Sequence, residues 1–308
     1  MPSGPSHLPC PAPRDGQLPR RTFVTGLPLV ALAAGCATLV RQPGRSPSGP
    51  AAPPSASPTI APVYYTLSLE GRDLGAEIFL NDVLIDTLDA AERATASTTI
   101  NAWVTGGTNQ LRVRSMPGHV GAHPPVVQAR VGKRGADDLG TPELLTTLQI
   151  APPRPDAVAD QSTTFKVDPA PPTELWPRAE SLRLDGDARA AAGNLTRDLE
   201  RAFAARDPGR VMALLGRKTA DVARASFRDQ ELARTTLRVL LDTLFSVPGF
   251  TKDFLTPEAL VFDLCANQRL LRVARPTGPA LQIRLSQGGR YRLPLLFAKI
   301  DGAWTIAR

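Results

Sequence analysis

The chain has 308 residues, enough for about two domains of ordinary size. Its formal charge of +7 rests on arginines scattered among acids, as in Arg197-Asp198-Leu199-Glu200-Arg201, and only 5% of residues are aromatic. That combination describes a solvated surface rather than a phosphate-binding face with stacking platforms, so no nucleic-acid partner is expected.

The first informative segment is Arg20 to Cys36, RRTFVTGLPLVALAAGC. Its apolar run, Gly26 to Val40, is 15 residues and is interrupted by Gly26, Pro28 and Gly35. A membrane-spanning helix needs about 20 apolar residues, so this run is too short to cross a bilayer. A basic patch followed by a short apolar core and small residues is the order of a secretory signal. Arg20, Arg21 and Phe23 resemble the twin-arginine export motif, which is read by a receptor. Ala33-Ala34-Gly35-Cys36 resembles a bacterial lipobox, with Ala33 where leucine is usual and Leu32 beside it. The resemblance implies lipidation of Cys36 and a membrane partner reached through the N-terminal lipid. It places the protein in the cell envelope, on the periplasmic side of a bacterial membrane. Cleavage after Ala31-Leu32-Ala33 would instead yield a soluble periplasmic protein. On the lipoprotein route residues 1–35 are a leader. Cys265 is then the one cysteine left unmodified, and no intramolecular disulfide is expected. Residues 36–62 hold seven prolines among Ser, Gly and Ala, and read as an extended tether.

From 63 to 152 the pattern is that of strands. Tyr64 to Leu69 is rich in β-formers, and Glu77 to Ile85 predicts a hairpin turning at Asn81-Asp82. Thr98 to Val104 predicts a strand, followed by the corner Gly106-Gly107-Thr108-Asn109. Gln110 to Arg114, Val126 to Val131 and Leu144 to Ile150 predict three more. Short strands between turn signals predict an all-β sandwich. The turn at Asn81-Asp82, followed by Ile100-Asn101-Ala102-Trp103 and Gly107-Thr108-Asn109-Gln110-Leu111, resembles the accessory jelly-roll or Ig-like modules of glycoside hydrolases. The resemblance implies the fold, and it keeps glycan binding as an alternative. Residues 153–184 are Pro-rich and predict a connector, with Phe165, Val167, Leu175 and Trp176 packing it along a domain.

From 185 to 308 an α+β domain is expected. Leu195, Leu199, Ala202 and Phe203 share one helix face, Val211, Leu214 and Leu215 predict a short turn of helix, and Leu237 to Phe245 give a second stripe. Strands at 259–265, 269–275, 280–285, 290–300 and 304–307 predict an antiparallel meander. The ending Asp301-Gly302-Ala303-Trp304-Thr305-Ile306 and the helix around Phe203 resemble the NTF2-like family, whose sheets curl around helices and often enclose a pocket. The fold expected overall is multidomain, an all-β sandwich followed by an NTF2-like α+β unit.

Few residues point to chemistry. His119 and His123 lie between Pro117-Gly118 and Pro124-Pro125, which forbid a helix that would align them, and no third ligand is nearby; no metal is expected. Asp263, on a strand between Phe262 and Leu264, is the one catalytic candidate if it faces a pocket, and an ion pair with Arg272 is the alternative. No phosphate loop, Gly-x-Ser-x-Gly elbow or Cys-x-x-Cys pair occurs, so no cofactor is expected. The function expected is an envelope accessory or binding protein with an envelope protein as partner. The alternatives are an NTF2-like pocket enzyme of the proton-shuttling type and a glycan-binding protein.

Overall fold

A computed structural model describes residues 61–308 except 92, 120–122, 139, 153, 155–156, 248–250, 255–258, 276–277 and 285–289. The tether and the leader, with Arg20, Arg21, Phe23 and Cys36, lie outside the described residues.

The first part is two four-stranded antiparallel sheets, which face each other like a sandwich. One runs β4 (Ala94–Thr99), β1 (Val63–Arg72), β6 (Val126–Gly135), β7 (Glu143–Ile150). The other runs β3 (Val83–Leu88), β2 (Leu74–Leu80), β5 (Gly107–His119), β8 (Asp160–Val167). Alternate residues of each strand enter a shared core: Tyr65, Leu67 and Leu69 from β1, Ile78 and Leu80 from β2, Leu111 and Val113 from β5, Val127, Ala129 and Val131 from β6. Period-two alternation puts one apolar row of each strand on the inner face. Each fully buried Leu, Ile or Val there contributes about 1.5–3 kcal/mol.

Two expectations change here. Residues 153–184, read as a connector, contain β8, which pairs with β5 from Gly107↔Val167 to Arg114↔Asp160 and sends Phe165 and Val167 into the core. The prolines on both sides concealed a strand of ordinary alternation. The strand expected over 98–104 stops at Thr99, because Asn101 takes over its pairing. The Asn101 Oδ1 accepts from Tyr65 N at 2.7 Å, and its Nδ2 donates to the Val63 carbonyl at 2.8 Å. A buried side-chain amide thus stands in for a peptide unit while the chain turns away.

The turn and the Gly/Asn corner form one network. Asn81 and Asp82 adopt φ of 50° and 63°, the left-handed region a two-residue hairpin turn requires. Asn81 Oδ1 accepts from Gln110 N at 3.0 Å, and its Nδ2 donates to Asn109 Oδ1 at 2.8 Å. Asn109, 1% exposed, also accepts from Thr105 N and donates to the Thr105 and Gly107 carbonyls.

The second part begins with the short helix α1 (Leu175–Arg178) and three longer helices, α2 (Gly186–Ala204), α3 (Pro208–Ala225) and α4 (Gln230–Ser246). Each of the three is capped by an aspartate. Asp185, Asp207 and Asp229 accept from the backbone N–H three residues on, satisfying a donor that has no partner inside the helix. Pro208 suits the first turn of α3, where no N–H is needed. This helix is 18 residues long, far more than the short turn expected.

The strands that follow do not form one meander. β10 (Val261–Cys265), β11 (Leu270–Arg275), β15 (Leu295–Ile300) and β16 (Ala303–Ile306) make one sheet, with the two-residue β12 (Gly278–Pro279) on β11. β14 (Arg290–Leu293), β13 (Leu281–Arg284) and β9 (Thr251–Phe254) make another. The run 290–300 is divided at Pro294, which has no N–H to give a ladder. Helix residues Leu199, Phe203, Val211, Leu215 and Leu241 share a core with Leu271, Val273, Phe297 and Ile306 of the larger sheet.

A third cluster joins the two parts. It brings Val83 of the first part against Trp176, Cys265, Ala266, Leu296 and Ile300, with Ile85 and Trp103 packed on it. Ala266 N donates to the Asn81 carbonyl at 3.1 Å across the same seam.

Asn109→Ala should destabilise the fold by about 1–3 kcal/mol in urea unfolding, because it strands buried backbone groups at the corner. The same change at exposed Asn194 should stay within about 0.5 kcal/mol.

Candidate functional site

The core-facing stripe of α3 reads Val211, Leu215, Lys218, Asp221, Ala225. At 3.6 residues per turn these positions lie on one side of the helix. Val211, Leu215 and Ala225 are buried, as such a stripe demands. Lys218 and Asp221 break its apolar character, and Asp221 lies beside the seam between the two parts of the molecule.

Arg308, which follows β16, is 1% exposed and reaches across that seam. Its NH2 donates to Asp221 Oδ2 at 2.7 Å. Nε and NH2 donate to the carbonyl of Ala102, in the first part, at 3.1 and 2.8 Å. NH1 donates to the Ala307 carbonyl at 2.9 Å. The guanidinium carbon lies 5.9 Å from the Trp103 ring centre and 5.8 Å from that of Trp176, within cation–π range.

Asp221, 5% exposed, is well provided with donors. Besides Arg308 it accepts from Thr173 Oγ1 at 2.7 Å and from Glu174 N at 2.5 Å. Burial pushes its pKa up, but the Arg308 charge and these hydrogen bonds outweigh it, and the net shift is downward. The pair is therefore charged and buried, and removing either partner would leave an uncompensated buried charge.

Lys218 is half-buried and has no hydrogen-bond or ion-pair partner among the described residues. Burial, and then repulsion by Arg308, lower its pKa to about 8. An amine in that state is partly neutral near physiological pH and thus nucleophilic.

Asp263 stands opposite Arg272 on β11, and the two side chains pair at 2.6 Å. At 44% exposure its carboxylate lies at the surface of the sheet. Cys265 is buried, its thiol pushed up to about 12 by desolvation, and its Sγ approaches the Leu270 carbonyl at 3.6 Å. A thiol so held is not a nucleophile. His123, 54% exposed, donates from its backbone N to Asp73 Oδ2 at 3.2 Å, and its Nδ1 lies 3.2 Å from the same oxygen. The pair pins the approach to β6 onto the β1–β2 turn. The register sets the backbone of His119 opposite Leu74. Among the described residues no three His, Cys, Asp or Glu side chains converge as a metal site.

An open groove of about 520 Å³ runs between α3 and α4, lined by Met212, Gly216, Leu237 and Val239 with Arg234, which pairs with Glu231, and Arg238, which pairs with Asp242. Lys218, Asp221 and Arg308 do not line it.

Sequence reasoning missed Lys218, Asp221 and Arg308. The available signal was a lysine and an aspartate in register with Val211, Leu215 and Ala225. Without knowledge that α3 continues past Leu215, they read as surface charges. No protein-family model, curated protein or solved structure matches the chain.

Two measurements probe the cluster. Arg308→Ala should cost about 3–5 kcal/mol in urea unfolding, since it leaves the Asp221 carboxylate buried and unpaired. The folded-state pKa of Lys218 lies below its ordinary 10.5, so between about 8 and 10.5 the unfolded chain binds more protons than the native one. Lys218 should therefore add a rise in stability with pH across that window. Lys218→Met should remove that rise and increase stability at pH 7.

Proposed function

We propose that the chain is an exported envelope protein that works by binding, anchored by a lipid on Cys36 and held off the membrane by the tether 36–62. The observation that carries this reading is the segment Arg20 to Cys36: paired arginines, a short apolar core and small residues before a cysteine. Among the described residues no helix is long and apolar enough to cross a membrane. In this reading the first part is an Ig-like or jelly-roll-like module and 185–308 an NTF2-like unit. The packing of α2, α3 and α4 against the β11–β15–β16 face supports the second assignment.

Binding is favoured over catalysis because the side chain best placed for acid–base work, Asp263, is committed to Arg272 at the surface. The groove between α3 and α4 offers a concave, partly apolar surface lined also by Glu231, Arg234 and Arg238, the kind of feature a partner protein in the envelope would engage. Joining the two parts through Arg308, which donates to the Ala102 carbonyl, presents both to such a partner in fixed orientation.

Replacing Arg20-Arg21 by Lys-Lys should leave the protein in the cytoplasm in a fractionation assay, and its arrival in the envelope would overturn the export route. Cys36→Ser should move the exported protein from the membrane pellet to the soluble fraction. Unchanged sedimentation would overturn the lipid anchor.

A further inference from the structure

The two sheets of the first part end in the outer strands β4, β7, β3 and β8. An outer strand offers its free backbone groups to any other strand, and proteins guard it with a charge, a proline, a bulge or a cover. β7 and β8 approach each other at one side, where the Thr146 and Thr163 hydroxyls lie 3.2 Å apart. β3 carries Asp86, pairs with β2 across a register shift, and sends Val83 into the seam. β4 has none of these guards. Its sequence, Ala94-Thr95-Ala96-Ser97-Thr98-Thr99, holds no charge or proline, and it pairs with β1 without a bulge from Gly71↔Ala94 to Thr66↔Thr99. The direction of its backbone groups follows from one bond, which Ile100 N donates to the Tyr65 carbonyl at 2.8 Å. Bonded and non-bonded pairs alternate along an antiparallel ladder, so Thr98, Ala96 and Ala94 bond to β1 while Thr95, Ser97 and Thr99 turn N–H and C=O outward. Among the described residues nothing pairs with those outward groups. Ala94 and Ala96 pack on the core, and the side chains of Thr95 and Ser97 are exposed.

We propose that β4 is an interaction surface for a second copy of this chain, whose own β4 adds antiparallel about a two-fold axis at Ser97. The outward residues are symmetric about that position. The axis sets Ser97 opposite Ser97 of the second copy and Thr95 opposite its Thr99, and each such pair exchanges both N–H···O bonds. Hydroxyl faces hydroxyl across the axis, a favourable cross-strand pairing, and no like charges meet. The nearest charge, Arg93, pairs with Glu70 of its own chain and would face Asn101 of the second copy. An uncharged edge gives an acidic or basic peptide no hold, whereas a second copy matches it residue for residue. The two four-stranded sheets become one continuous sheet. The contact is short, so the dimer is weak and forms with rising protein concentration.

The register supplies the test, in the full chain carrying Cys10→Ser and Cys36→Ser. Ser97→Cys in that background should give a disulfide-linked dimer under mild oxidation, because the Cα atoms of a hydrogen-bonded pair lie about 5.5 Å apart, within disulfide range. Thr95→Cys should give about tenfold less, because the axis places the two copies of that residue about 13 Å apart along the strand. Equal linkage at both positions, or none at Ser97, would overturn the proposal. Analytical ultracentrifugation supplies an independent readout. The weight-average mass of the parent chain should climb toward twice the monomer as concentration rises. Ser97→Pro should stay monomeric, since it removes an N–H that faces away from β1 and leaves that ladder intact. A parent chain that stays monomeric, or a Ser97→Pro variant that associates equally well, would overturn the assignment.

Discussion

The interaction on which this architecture depends is the buried ion pair between Arg308 and Asp221. Two charges removed from water are expensive, and their attraction offsets that cost only when the remaining hydrogen-bond capacity is used. Here most of it is used, and the partners come from both parts of the molecule: Ala102 before the Gly/Asn corner, Thr173 and Glu174 at the entry to α1, and Asp221 on α3. The pair thereby fixes four segments distant in sequence. Trp103 and Trp176 exclude water around it, which strengthens the attraction and would raise the penalty if one partner were lost.

The corner at Asn81 and Asn109 serves the same end from the other side. It fixes the tip of the β2–β3 hairpin, and that tip supplies Val83 and the Asn81 carbonyl to the seam. The chain therefore spends its two most specific polar networks on joining its parts and on the loop that meets the joint. Arg178 paired with Asp301, and Arg269 donating to the Trp176 carbonyl, tie α1 to the β11–β15–β16 sheet in the same way. A molecule built like this presents its surfaces at fixed angles, which suits recognition of a partner better than a hinge would.

Much of the fold was legible because its signals are local. A run of β-formers marked β1, strict alternation marked β5, Asn81-Asp82 marked a hairpin, and apolar spacing marked α2 and α4. The misses share a physical cause. β8 alternates correctly but sits between prolines, and its partner β5 lies some 50 residues earlier, so its role appears only once the second sheet forms. The length of α3 was hidden because its inner stripe turns from leucine to Lys218 and Asp221, whose compensation, Arg308, lies 87 residues away from Asp221. The division of 290–300 into β14 and β15 was signalled by Pro294, but the sheets those halves join were not. Of the candidate site, Ala102 and Trp103 lay in a motif read from the sequence. Asp263 was weighed together with Arg272, and the pairing found is an ordinary cross-strand contact.

The central claim is that the buried junction makes the two parts one cooperative body. Native-state amide hydrogen exchange tests it most directly, by comparing the opening free energies of Leu111 and Val113 in β5 with those of Leu271 in β11 and Phe297 in β15. The account predicts that the most protected amides of both parts exchange through the same global opening, with one shared free energy and one dependence on denaturant. Exchange of one core at a distinctly lower free energy, while the other stays protected, would contradict it.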